Sequence, residues 1–119
     1  MKLVLLEDET AAVADFVRSC GSLVTSRLAF VEVARAVKRV DPSADAVAAA
    51  AAVLRSFVLV DIDPLIIHRA ASLVGELRSQ DAIHLATALT VGAEEMLVYD
   101  RRLGAAAEDA GIRAVAPAA

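Results

Sequence analysis

The sequence predicts an α/β domain in which a parallel sheet carries helices on its faces. Three observations lead there. Short runs rich in apolar and β-branched residues recur at 22–26, 57–62, 96–99 and 112–115. Segments of helix length, with apolar residues at intervals of three and four, lie between them. The chain has 119 residues, which is room for one domain spanning 1–119. Strands that alternate with helices make βαβ units, and these build a parallel sheet covered by helices.

Each element has a local reason. A helix is expected at 9–18, where Ala12, Val13, Phe16 and Val17 share one face, and Gly21 supplies a stop. Residues 22–26 are a short strand whose Thr25-Ser26 pair can cap the next helix, at about 27–40. Asp41-Pro42-Ser43 is a turn, and the Ala-rich run at 44–55, spaced with Val47, Val53 and Leu54, has high helix propensity. Phe57-Val58-Leu59-Val60-Asp61-Ile62 reads as a strand buried on both faces. Pro64 can open a helix whose apolar side continues through Leu65, Ile66, Ala70, Leu73, Val74 and Leu77. A helix at 81–91 ends at Gly92, a strand follows at 96–99, and a helix at 102–110 closes on Gly111 before the last strand at 112–115.

Composition narrows the classes. Hydrophobic residues are 58% of the chain and aromatics only 3%, so the core is built from Ala, Val, Leu and Ile, and disorder is excluded. Charged residues interrupt every window of the ~20 residues needed to cross a bilayer, and the first apolar stretch is too short for a signal-peptide core. A soluble protein of the cytoplasm, with no membrane partner, is expected. Cys20 is the only cysteine, which excludes an internal disulfide and a Cys-rich zinc site. The net charge of −4 argues against a surface that coats nucleic acid, but not against a metal-dependent nuclease with its cations on one rim.

Three carboxylates stand in unusual company. Glu32 lies within the apolar stretch Leu28-Ala29-Phe30-Val31-Glu32-Val33-Ala34, where it is partly desolvated unless paired, with Arg35 or Arg39 as the simplest partners. Asp81 opens a helix, where the macrodipole alone would favour it. Asp100 ends a strand and would serve equally as a helix cap. Together they can converge in the crevice at the carboxyl ends of a parallel sheet. Oxygen-only ligands suit Mg²⁺ or Mn²⁺ rather than zinc, and such a metal can neutralise clustered acids and activate water.

At these residues the sequence resembles the VapC-type toxins of the PIN-domain ribonuclease family. Three segments carry the likeness in order: Val24 to Val33 around Glu32, Leu77-Arg78-Ser79-Gln80-Asp81-Ala82-Ile83-His84-Leu85-Ala86-Thr87-Ala88, and Val98-Tyr99-Asp100-Arg101-Arg102-Leu103. The middle segment is the most specific, and the likeness covers nearly the whole chain. It implies a three-layer PIN-like domain that binds Mg²⁺ or Mn²⁺ and cuts RNA, with Glu32, Asp81 and Asp100 on three of the family's four acidic positions. In that mechanism the metal polarises the phosphate and lowers the pKa of an attacking water, and a metal-free carboxylate oxygen takes its proton. The resemblance also implies a homodimer held inactive by a cognate VapB-like antitoxin that covers the cleft.

The sequence departs from the family at its start. Family members begin with a strand ending in an Asp-Thr-Ser-like motif whose Asp is the first ligand, whereas Met1-Lys2-Leu3-Val4-Leu5-Leu6-Glu7 resembles the helix after that strand. The favoured expectation is a chain short of its first strand. The alternatives are that residues 2–6 are themselves the strand and deliver Glu7 or Asp8, or that the chain is a non-catalytic module that binds an antitoxin without cutting.

Other residues carry two readings each. Thr25 and Ser26 can hold a water or phosphate, or cap the helix bearing Glu32; Arg101 and Arg102 can meet the RNA backbone, or be solvated. His84 reads as packed or hydrogen-bonded rather than as a base, and His68 as surface. Asp61 and Asp63 after a strand look like the Asp-x-Asp of haloacid-dehalogenase phosphatases, but Pro64-Leu65 replaces the expected Gly-Thr, so both read as turn formers. Cys20, with no basic neighbour closer than Arg18, is not expected to be a nucleophile.

Overall fold

A computed structural model describes residues 2–4, 23–55, 57–98 and 100–116. Five short strands, β1 (Lys2–Val4), β2 (Leu23–Ser26), β3 (Val58–Val60), β4 (Glu95–Leu97) and β5 (Arg113–Val115), form one sheet in the order β3-β2-β1-β4-β5. Every pairing is parallel, and β1 is bonded on both edges, Leu3 standing opposite Val24 on one side and Met96 on the other.

The expectation of a missing first strand is thereby corrected. Lys2–Val4 occupies the centre of the sheet. An apolar run of four residues has no period that separates strand from helix, and the two flanking ladders decide for the strand. The helix expected at 9–18, Gly21 and Cys20 lie outside the described residues, as do Glu7 and Asp8.

The helices are α1 (Leu28–Val40), α2 (Ala44–Arg55), α3 (Pro64–Ser72), α4 (Ser79–Val91) and α5 (Arg101–Asp109). From the centre the chain moves outward through α1 and α2 to β3, then returns to β4 and moves outward the other way through α5 to β5. Right-handed crossovers in opposite directions put α1 and α2 on one face and α5 on the other. α1 packs on α2, α3 on α4, and α4 on both β2 and α5.

Local chemistry sets the ends. The Asp63 carboxylate accepts from the Ile66 amide at 2.9 Å, with Pro64 in the first turn, so Asp63 caps α3. Asp41 accepts from the Ser43 amide, a bond that holds its carboxyl below the usual range, and the Ser43 hydroxyl accepts from Ala46 to start α2. Gly92, at φ 69°, closes α4 in the left-handed region that glycine enters without strain.

Two elements differ from expectation. β3 is an edge strand with Val58 59% exposed, so its apolar run does not report burial on both faces. α3 stops at Ser72, three residues before Gly75 at φ 111°, while Leu73 and Leu77 still pack against the core from the loop. There the apolar spacing recorded burial rather than helix.

The core joins the sheet to α4 and α5 through Val24, Leu85, Ala88, Met96, Val98, Leu103 and Ala107, with no aromatic ring among the described residues of the cluster. Deleting residues 1–4 is expected to abolish cooperative urea unfolding, because both halves of the sheet lose their shared partner. An unchanged unfolding midpoint would show that the strand is dispensable to the sheet.

Candidate active site

α4 positions two polar groups on one side, because residues three apart on a helix face the same way. Asp81 lies in its first turn, only 6% exposed, where the helix N-terminus favours a negative charge. Its Oδ2 accepts from Nε of Arg78 at 3.0 Å. The same guanidinium reaches Oδ2 of Asp100, with Nη2 at 3.9 Å.

Asp100 follows β4 and divides its oxygens. Oδ1 accepts from the Leu103 amide at 3.0 Å and caps α5, while Oδ2 turns toward Arg78. The capping reading of this residue holds, and its second oxygen is turned to the cation beside it. Asp81 and Asp100 line one open cleft of about 340 Å³, together with Glu76, Arg78, Arg101 and Arg102. The cleft stands by the carboxyl end of β4, beside the central strand from which the chain winds outward in both directions, where ligands of doubly wound sheets bind.

Glu32 approaches from α1. Its Oε1 is 2.5 Å from Nε2 of His84, one turn along α4 from Asp81. His84 is completely buried, and its Nδ1 has no hydrogen-bond partner among the described residues. The partner of Glu32 is thus His84 rather than Arg35 or Arg39, which line a separate basic pocket with Lys38. Glu32 is not among the residues that line the cleft of Asp81 and Asp100.

The donors fit a hard divalent cation in kind, since two carboxylates already share one cationic group. Among the described residues, no three of His, Cys, Asp or Glu gather closely enough to hold a metal ion.

Arg101 and Arg102 are exposed and line the cleft. Thr25 and Ser26 are wholly buried; the N-cap position of α1 is Arg27, which makes no side-chain cap bond, and the Ser26 hydroxyl accepts from the Leu28 amide two residues on. Asp61 pairs with Arg27, and His68 is exposed. Sequence reasoning missed Arg78 and Glu76. Arg78 carried a signal, standing three residues before Asp81 where an ion pair can form on a helix start.

A model of the PIN domain matches residues 2–109, and the chain belongs to the PIN-domain family. Within that family it is of the VapC type. It is 39% identical to Ribonuclease VapC35 of Mycobacterium tuberculosis over 98% of this chain and 90% of the relative. Its fold is that of the M. tuberculosis sarcin-ricin-loop-cleaving toxin VapC20, at a TM-score of 0.75 and 16% identity over 98% of this chain and all of the other. It also matches a chain in a toxin–antitoxin complex from Klebsiella pneumoniae, at a TM-score of 0.68 and 21% identity over 84% of this chain and 87% of that one.

The divided carboxylate of Asp100 makes a separable prediction. Asp100→Ala is expected to lose about 1 kcal/mol with its cap, whereas Asp100→Ser keeps the cap and stays within about 0.5 kcal/mol of the parent in urea unfolding. Equal losses in the two variants would count against the capping bond.

Proposed function

We propose that this protein is a metal-dependent endoribonuclease and the toxin of a VapBC-like toxin–antitoxin pair. One observation carries the reading: Asp81 and Asp100 meet on one cation in an open cleft, rimmed by Arg101 and Arg102, in a chain 39% identical to a ribonuclease. Asp81, Asp100 and Glu32 would hold Mg²⁺ or Mn²⁺, which when bound neutralises the acids and supplies an activated water beside the scissile phosphate. Arg101 and Arg102 present guanidinium forks that suit phosphate oxygens and orient the RNA backbone across the cleft. A carboxylate oxygen not engaged by the cation accepts the proton of the attacking water.

An antitoxin and a second copy of the chain are the partners this reading calls for. Phe30 and Val31 on α1 are exposed apolar side chains available to either.

A second reading is a PIN-like module that binds an antitoxin without cutting, and the lack of a three-ligand group among the described residues favours it. Cleavage separates the two. The purified chain is expected to cut RNA with Mg²⁺ and to stop when EDTA removes it. Asp81→Asn is expected to lower the rate by about 100-fold or more, the scale of a positioned acid–base group, with an unchanged circular dichroism spectrum. Undiminished cleavage by that variant would refute the site, and no cleavage by the parent would favour the binding module.

A further inference from the structure

We propose that His84 is a positioning residue whose Nε2–H donates to Oε1 of Glu32, holding that carboxylate in one orientation relative to Asp81. The inference rests on the reading of Glu32 and Asp81 as ligands of one cation.

Three features of the pair argue for it. The first is the contrast in exposure, since the His84 ring is fully buried while the Glu32 side chain is 34% exposed. The ring is therefore the fixed end and the carboxylate the end that meets solvent. The second is the orphaned nitrogen: Nδ1 is buried with no partner among the described residues, while the carboxylate, which can only accept, calls for a ring hydrogen on Nε2. A buried polar atom left unpaired costs stability that an apolar side chain of similar size would not. The other ring nitrogen must then earn the residue its place. The third is the spacing, because His84 stands one turn after Asp81 on the same helix, while Glu32 is 52 positions away on α1. The bond therefore ties Glu32 to the helix that carries Asp81, and leaves Oε2 of Glu32 for another partner. Carboxylates and imidazoles next to metals are commonly held by such outer bonds, and losing one typically costs 10–100-fold in metal affinity or activity.

Direct Mn²⁺ binding, read by the paramagnetic resonance of the free ion, and nitrogen-15 spectra of the imidazole test this on the full chain. His84→Leu is expected to melt as a folded protein but to bind Mn²⁺ about 10-fold or more weakly. His84→Gln, whose amide nitrogen reaches the position of Nε2, is expected to recover a large part of that affinity. In the parent the spectrum should place a hydrogen on Nε2. No Mn²⁺ binding by the parent overturns the metal reading and this inference with it. Binding by the parent that His84→Leu leaves unchanged overturns this inference alone, as does a loss that His84→Gln fails to relieve. If His84→Leu does not fold, the spectrum and the Gln variant decide, and an Nε2 without a hydrogen refutes the proposal.

Discussion

The pairing of β1 with β2 along one edge and β4 along the other fixes where the acids can meet. Parallel strands in register bring their carboxyl ends to one side, so α1, which carries Glu32, starts on the same side of the sheet as the turn after β4, which holds Asp100. Neither would know the position of the other without the strand between them. A three-residue strand suffices because its backbone is shared on both sides, and each flanking ladder limits the slippage of the other.

Charge sets the next constraint. Two carboxylates facing one cleft repel unless a cation lies between them, and Arg78 supplies it. Yet the Arg78 side chain is 70% exposed, and its contact with Asp100 is long. Exposed pairs of this kind contribute roughly 0–1 kcal/mol, far less than a buried pair. The guanidinium balances the acids without locking them, so a divalent cation, with higher charge and smaller radius, can compete for the same oxygens. Asp100 does not depend on Arg78 for its position, which is held separately by the cap to Leu103.

The sequence showed much of this and concealed a definite remainder. The helices at 44–55 and 101–109 were readable from propensity, turn residues and glycine stops, all of which act over a few neighbours. The placements of Asp81 in the first turn of α4 and of Asp100 as the cap of α5 were readable because carboxylates favour helix starts. Residues 2–4 were misjudged because a short apolar run takes its conformation from partners distant in the chain. The partner of Glu32 was missed for the same reason: Arg35 is a neighbour in sequence, whereas His84 becomes one only after α1 and α4 have folded onto the sheet. Local rules rank the nearby partner first, and tertiary structure replaced it.

α4 explains how one helix can serve both carboxylates without being loosened by them. Five successive residues, His84 to Ala88, are buried, so the helix is enclosed on more than one face rather than resting on the sheet by a single stripe. Ala86 and Ala88 are small enough to bring its backbone close to its neighbours, and the hydroxyls of Thr87 and Thr90 bond back to carbonyls one turn earlier, which leaves neither needing water. A helix seated in this way has little freedom to shift. Asp81 at its exposed start and His84 one turn inside it are therefore placed by the core itself, and the geometry of the cleft inherits the rigidity of the packing beneath it.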